Sequence, residues 1–123
     1  MAENFAAIEW LCFQGHTHVG GIFLEQKLQL QDYVFESARN SRLPNGQTRR
    51  IKRPTKALIN VGSVGQPRDG FTTACYLILE ILSAEEVEIE WVSVAYDFER
   101  TIAKLKAIPE LQHTRVERLR EGS

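Results

Sequence analysis

Nowhere in this sequence do apolar residues run for the roughly 18 positions that a membrane-crossing helix needs, so a spanning helix is not expected. Cysteine is nearly absent. Cys12 and Cys75 are the two there are, and each sits within an apolar run where a thiol behaves as a small hydrophobe. That excludes a disulfide framework and points to a reducing compartment, the cytosol. Excess charge is also lacking: fifteen Lys and Arg against sixteen Asp and Glu leave a formal charge of -1, so no global field draws the protein to nucleic acid or to an anionic membrane. The start, Met1-Ala2-Glu3-Asn4-Phe5, has no basic lead-in and Glu9 follows before any long apolar run, which does not fit a secretory leader. Internal repeats and low-complexity tracts are missing too.

What is present suits one folded domain. A chain of 123 residues with 43% hydrophobic and 25% charged residues can bury a core and leaves little room for a second unit. Glu3 to Glu9 predicts a short helix presenting Phe5 and Ile8, and Trp10 to Phe13 a brief buried strand ended by Gln14-Gly15. Strands are predicted at Ile22 to Leu24 and Leu28 to Phe35, then a surface connection or a ragged hairpin from Ser37 to Thr55, containing the turn Pro44-Asn45-Gly46 and Pro54. Ala57 to Val61 reads as a strand entering a glycine-rich loop, Gly62 to Gly70. Thr73 to Leu82 is nearly all apolar, as for a strand covered on both faces. In Glu86 to Tyr96, Val87, Ile89 and Trp91 share one face against Glu86, Glu88 and Glu90 on the other. Asp97 is placed to cap a helix whose stripe is Phe98, Ile102, Leu105 and Ile108, stopped by Pro109. A last short helix would carry Leu111 and Leu119. The order predicts an α+β fold with a mixed or mainly antiparallel sheet.

Charge is segregated locally. Every charged residue from Ser37 to Gln66 is basic: Arg39, Arg42, Arg49, Arg50, Lys52, Arg53 and Lys56. A nucleic-acid-binding module is one reading of this 39–56 segment, since basic clusters contact phosphates. The balance favours a solvated loop, because net charge is near zero and no aromatic is interleaved to stack on bases. Trp10 and Trp91 read as core or interface residues, and His113 as a solvated side chain.

Chemistry enters with Gly15-His16-Thr17-His18 at the end of an apolar strand. In an extended backbone His16 and His18 would face one side and Thr17 the other, with Gly15 allowing the chain to turn close to an ion. Such a pair suits a binuclear centre that clamps a phosphoryl oxygen. Two alternatives stand beside it: a pair of surface histidines near a turn, or a separate zinc site recruiting Cys12, which its apolar flanks disfavour.

The second string, Asn60-Val61-Gly62-Ser63-Val64-Gly65-Gln66-Pro67-Arg68-Asp69-Gly70, changes the weighting. Together the two segments resemble the calcineurin-like metallophosphoesterase family, particularly its small bacterial and archaeal phosphodiesterase branch. There a Gly-His-Thr-His loop is followed by a strand ending in Asn-Pro-Gly-Ser, commonly continued as Val-Gly-Gln-Pro-Arg-Asp. The apolar strand at Thr73 to Leu82, the Tyr96-Asp97 helix start and the closing Arg118-Leu119 extend the likeness over about Phe5 to Gly122. Gly20 and Val61 depart from prolines usual in the family, and neither would be a ligand.

The resemblance implies His16 and His18 as metal ligands, to the second and first ions respectively, with Gly15 shaping the loop. Asn60, Gly62, Ser63 and Arg68 would belong to a neighbouring loop, Ser63 and Arg68 either holding it or approaching the substrate. It implies two divalent ions, Mn²⁺, Fe or Zn²⁺, and a phosphoester substrate. The family's Asp-x-His, Gly-Asp-x-x-Asp and Gly-Asn-His-Asp/Glu signatures are not in this sequence, whose aspartates are Asp32, Asp69 and Asp97. The expectation is therefore the C-terminal half of a metallophosphoesterase β-sandwich flanked by helices, spanning residues 1–123. No catalytic residue is assigned, and the chain would be inactive until an N-terminal half or a partner chain supplies the other ligands. Half a sandwich would also expose apolar edges and self-associate. A non-catalytic scaffold of the same fold is the alternative.

Overall fold

The computed structural model describes residues 2–25, 35–38, 48–111 and 116–123. Two sheets carry the fold. The first is mixed, with strand order β1-β5-β2-β3: β1 (Leu11–Gln14) runs parallel to β5 (Ala57–Asn60), β5 antiparallel to β2 (Gly21–Leu24), and β2 antiparallel to β3 (Phe35–Ser37). The second is antiparallel, in the order β4-β7-β6, from β4 (Thr48–Lys52), β6 (Ala74–Ile81) and β7 (Glu86–Val94). Helix α1 (Ala2–Ala7) precedes β1, and α2 (Phe98–Lys106), a 3-10 turn (Pro109–Leu111) and α3 (Arg118–Glu121) follow β7. This is the α+β architecture expected. Among the described residues no helix is long and apolar enough to cross a membrane.

The core lies between the sheets. Ile22, Ala57 and Ile59 from the first pack with Ile51, Cys75, Val87, Ile89 and Trp91 from the second. The period-two alternation read in β7 puts Val87, Ile89 and Trp91 inward, as their burial shows. Both cysteines are free. Phe5 is buried on α1 and Lys56 Nζ donates to its carbonyl at 2.8 Å, which fastens that short helix to the start of β5. Asp97 caps α2 as its sequence position indicated, accepting from Arg100 N–H at 2.9 Å. Of the predicted stripe Ile102 is buried, Phe98 and Leu105 are half-buried, and Ile108 falls beyond the helix and is exposed.

Two expectations are corrected. The connection from Ser37 to Thr55 contains a strand, β4, concealed by its polarity. Its one buried position is Ile51, while Arg50 pairs across the sheet with Glu88 at 2.7 Å and Arg49 reaches Glu36 on β3 at 3.2 Å. Strand β6 is not covered on both faces; it is an edge strand whose Tyr76, Ile78, Leu79 and Ile81 are exposed. An edge strand and a central strand can have the same apolar composition, so composition alone could not separate them. Of the strand predicted at Leu28 to Phe35 only Phe35 is described, where it opens β3. Leu28 to Val34, the Pro44-Asn45-Gly46 turn and His113 lie outside the described residues.

The basic segment is largely engaged within the fold. Besides the pairs of Arg49, Arg50 and Lys56, the guanidinium of Arg53 stacks 4.5 Å from the ring centroid of Trp10.

Candidate functional site

Strands β1 and β5 are parallel neighbours, so their C-terminal ends emerge side by side and the loops that follow them, residues 15–20 and 61–73, meet at one edge of the sheet. The histidine loop leaves β1 and the glycine-rich loop leaves β5. Adjacency in the sheet is what brings two motifs far apart in sequence together.

Asn60, the last residue of β5, joins them. It is 2% exposed and its amide is fully used: Nδ2 donates to Gly15 O at 3.0 Å and to Thr17 Oγ1 at 2.7 Å, while Oδ1 accepts from Gly62 N–H at 3.0 Å. Its main-chain carbonyl accepts from Trp91 Nε1 at 2.9 Å, so the core tryptophan holds the same residue from behind. Backbone bonds add to the brace, with Val61 N–H donating to Gln14 O at 3.0 Å and Arg68 N–H to His18 O at 3.1 Å.

His18 is half-buried, and its Nδ1 lies 2.7 Å from Gln66 O. A carbonyl only accepts, so Nδ1 carries the proton, and in the neutral imidazole Nε2 keeps its lone pair. That is the arrangement by which a histidine ligand is oriented through its other nitrogen. His16 is exposed. Both histidines have positive φ, 78° and 63°, a conformation uncommon outside glycine. Strain of this kind persists where the surroundings over-determine it, which the Asn60 bonds do here.

The loop therefore differs from the extended segment expected at His16 to His18. Thr17 does not point away; its hydroxyl is drawn to Asn60, and the two left-handed residues let it turn inward. Gly15 is not at positive φ, and a side chain there would meet nothing within 4 Å, so the turn rests on the histidines. Gly62 is the glycine that geometry demands: φ is +85°, and a Cβ would stand 2.8 Å from Cys75 Sγ. Ser63 holds its loop, Oγ accepting from Gln66 N–H at 3.0 Å and its carbonyl from Cys75 N–H at 2.8 Å. Arg68 is exposed and joins the site through its main chain.

Residue-type reasoning missed Thr17 and Gln66. The first sits between two histidines and draws no notice as a neutral side chain; the second acts through a carbonyl, which sequence identity does not encode.

As to a metal, the residues present fit in part. His18 offers an oriented lone pair and His16 an accessible ring, yet among the described residues no group of three or more His, Cys, Asp or Glu is placed to hold an ion. Cys12 does not complete one. Asp97 is spent as the cap of α2.

Comparison with known proteins follows the same line. No protein-family model matches the chain. The curated "Uncharacterized protein MJ0912" of Methanocaldococcus jannaschii is 34% identical over 95 residues, covering 77% of this chain and 32% of that protein. The crystal structure of a metallophosphoesterase from Sphaerobacter thermophilus matches with a TM-score of 0.69 at 25% identity, over 99% of this chain and 46% of that one. The chain thus spans about a third of the curated relative and just under half of the solved protein. It has a metallophosphoesterase-like fold, which supports the superfamily that the two loops suggested and, with it, the use of divalent metal in that group.

Proposed function

We propose that this chain contributes His16 and His18 to a binuclear-metal site for phosphoester hydrolysis, phosphodiesters foremost, as the C-terminal portion of a calcineurin-like phosphodiesterase. The observation that carries the reading is the bond from His18 Nδ1 to Gln66 O, which leaves Nε2 as a lone-pair donor on a loop cross-braced by Asn60. When bound, two divalent ions such as Mn²⁺, Fe or Zn²⁺ would polarise the phosphoryl oxygen and supply a nucleophilic water. The chain's own part is to fix the His18 ring and its protonation, and to hold both histidines on one short loop before any ion arrives.

The remaining ligands come from polypeptide outside this sequence. The sequence has only three aspartates and three histidines, and among the described residues no group of three or more His, Cys, Asp or Glu stands ready to hold an ion. A flank left open among the described residues supports this. Arg49 on β4 reaches Glu36 on β3, so the β4 side of one sheet lies against the β3 side of the other, and β6 and β1 are the opposite edges. Both carry exposed apolar residues, Phe13 on β1 and Ile78 and Ile81 on β6. The completing segment, or another chain, covers that flank; alone, the protein self-associates through it. The two free cysteines fit a cytoplasmic setting.

The test joins this chain to a half carrying Asp-x-His and Gly-Asp-x-x-Asp, adds Mn²⁺ and measures cleavage of an aryl phosphodiester. Activity that is lost in both His16→Ala and His18→Ala is expected. A joined protein with no activity, or with activity indifferent to both substitutions, rejects the reading in favour of a scaffold of the same fold.

A further inference from the structure

Helices α2 and α3 and the loop after β5 border a solvent-open cavity of about 460 Å³. Its lining combines three apolar side chains, Leu105, Val116 and Leu119, with three polar ones, Gln66, Thr101 and Arg118. That volume is in the range that takes a ring-sized ligand. The walls are tied in place from outside. Glu99 on α2 receives Arg120 of α3 at 2.6 and 2.7 Å, Lys106 pairs with Glu117, and Gly122 at the end of α3 accepts from Gly70 N–H at 2.9 Å.

Arg118 stands apart from these cations. Residues two apart on a helix do not face the same way, so while Arg120 turns to Glu99 and Glu117, Arg118 turns to the cavity wall. It is half-buried and makes no side-chain hydrogen bond or ion pair with any described residue. A guanidinium partly removed from water beside apolar groups, with no counter-ion, is a place prepared for an anion, which its planar fork binds through two parallel bonds. The cavity also adjoins the histidine loop directly, because Gln66 lines it while its carbonyl receives His18 Nδ1–H.

We propose that this cavity is a subsite for an apolar ring that bears its own anionic group, with Arg118 binding the anion and Leu105, Val116 and Leu119 packing on the ring. In one respect it rests on the phosphoester reading: the occupant is the non-reacting end of the substrate, so the ester handled at His16 and His18 carries an aromatic group with a second anion.

Binding is measured on the whole 123-residue chain in EDTA, by titration calorimetry, with 1-naphthyl phosphate, 1-naphthol and inorganic phosphate. Naphthyl phosphate binds tightest, about tenfold or more above naphthol, as one charge-assisted pair allows. Arg118→Gln removes that advantage and leaves naphthol unchanged. Gly65→Leu is the second variant, since a side chain there meets nothing within 4 Å and the residue lines the cavity; it leaves the fold intact and weakens both ring ligands. A folded chain that binds none of the three, or that binds naphthyl phosphate equally in both variants, overturns the proposal. Because metal is excluded, the assay of the joined protein with Mn²⁺ tests the histidine reading separately, and either can fail without the other.

Discussion

Strands β5 and β6 are both written in apolar residues, and the fold treats them in opposite ways. All four residues of β5 are buried, whereas of the eight in β6 only Cys75 is. Strand β5 lies between β1 and β2; β6 has β7 on one side and no described strand on the other. The register sharpens the contrast. Cys75, Leu77, Leu79 and Ile81 pair with Ser93, Trp91, Ile89 and Val87, so these β6 residues share the core-facing side. Yet exposure climbs along that side, from 2% at Cys75 to 41% at Leu79 and 74% at Ile81, while their partners Ile89 and Val87 stay buried. The inner face of β6 runs past what the described residues set against it. Apolar content tells what a strand is built to touch, and exposure tells how much of that this chain supplies.

The largest predicted effect tests the contrast itself. Ile59→Ala on β5 should cost about 2–5 kcal/mol, the usual range for a fully buried aliphatic. Ile81→Ala on β6 should stay within about 0.5 kcal/mol, as for a surface position. Urea denaturation midpoints decide it. A cost at Ile81 that approaches that at Ile59 in dilute protein would break the contrast, whereas a cost that appears only as protein concentration rises would report self-association through that flank.

Next comes the residue that joins β5 to the histidine loop. Asn60→Ala leaves Gly15 O, Thr17 Oγ1 and Gly62 N–H without their side-chain partner and should destabilise by about 3 kcal/mol. The bond from Trp91 goes to the main-chain carbonyl and persists. Amide exchange should therefore quicken at Gly62 and not at Trp91; equal acceleration at both would mean that the whole strand, not the loop brace, had loosened.

How far the sequence reached follows from which signals are local. Alternation in Glu86 to Val94, the Asp97 cap and the strand opening at Ala57 are matters of period and neighbouring residues, and each was legible. Strand β4 was not, because one buried residue among Thr48-Arg49-Arg50-Ile51-Lys52 gives no alternation to read; its pairing with β7 is a long-range fact. The same divide runs through the site. Both histidines and the Asn60 segment are visible as motifs, and the structure brings the segments together. The left-handed turns at His16 and His18, the inward Thr17 and the carbonyl of Gln66 depend on the partner loop and so on tertiary contact.

A smaller effect asks whether the glycine after β5 answers to the core or to its own backbone. Gly62→Ala adds a Cβ 2.8 Å from Cys75 Sγ at a φ of +85° and should cost about 2 kcal/mol. With Cys75→Ala the contact with Sγ is relieved but that with the Cβ of residue 75, at 3.0 Å, stays, so about 1 kcal/mol of backbone strain and a smaller steric cost should remain. A double-mutant cycle reads the coupling, and strict additivity would show that the crowding against β6 does not matter.

The smallest effect lies farthest from either strand, at the exposed clasp of α2 and α3, and it reverses the logic by resting on charge instead of burial. The hydrogen bond from Arg120 holds the Glu99 carboxyl below its ordinary value of 4.5, and Lys106 does the same for Glu117, with Arg120 adding to it. Carboxyls lowered by folding contribute stability that is complete above their unfolded values and is lost as pH falls through the folded ones. Arg120→Gln should therefore lower the melting temperature slightly near neutrality, and its difference from the parent should fade as pH drops below the ordinary carboxylate range. Both acids are exposed, so added salt should shrink the gap at neutral pH in the same way. A difference that survives acid and salt alike would make Arg120 a packing residue, and the clasp would then stabilise the cavity walls through its apolar stem.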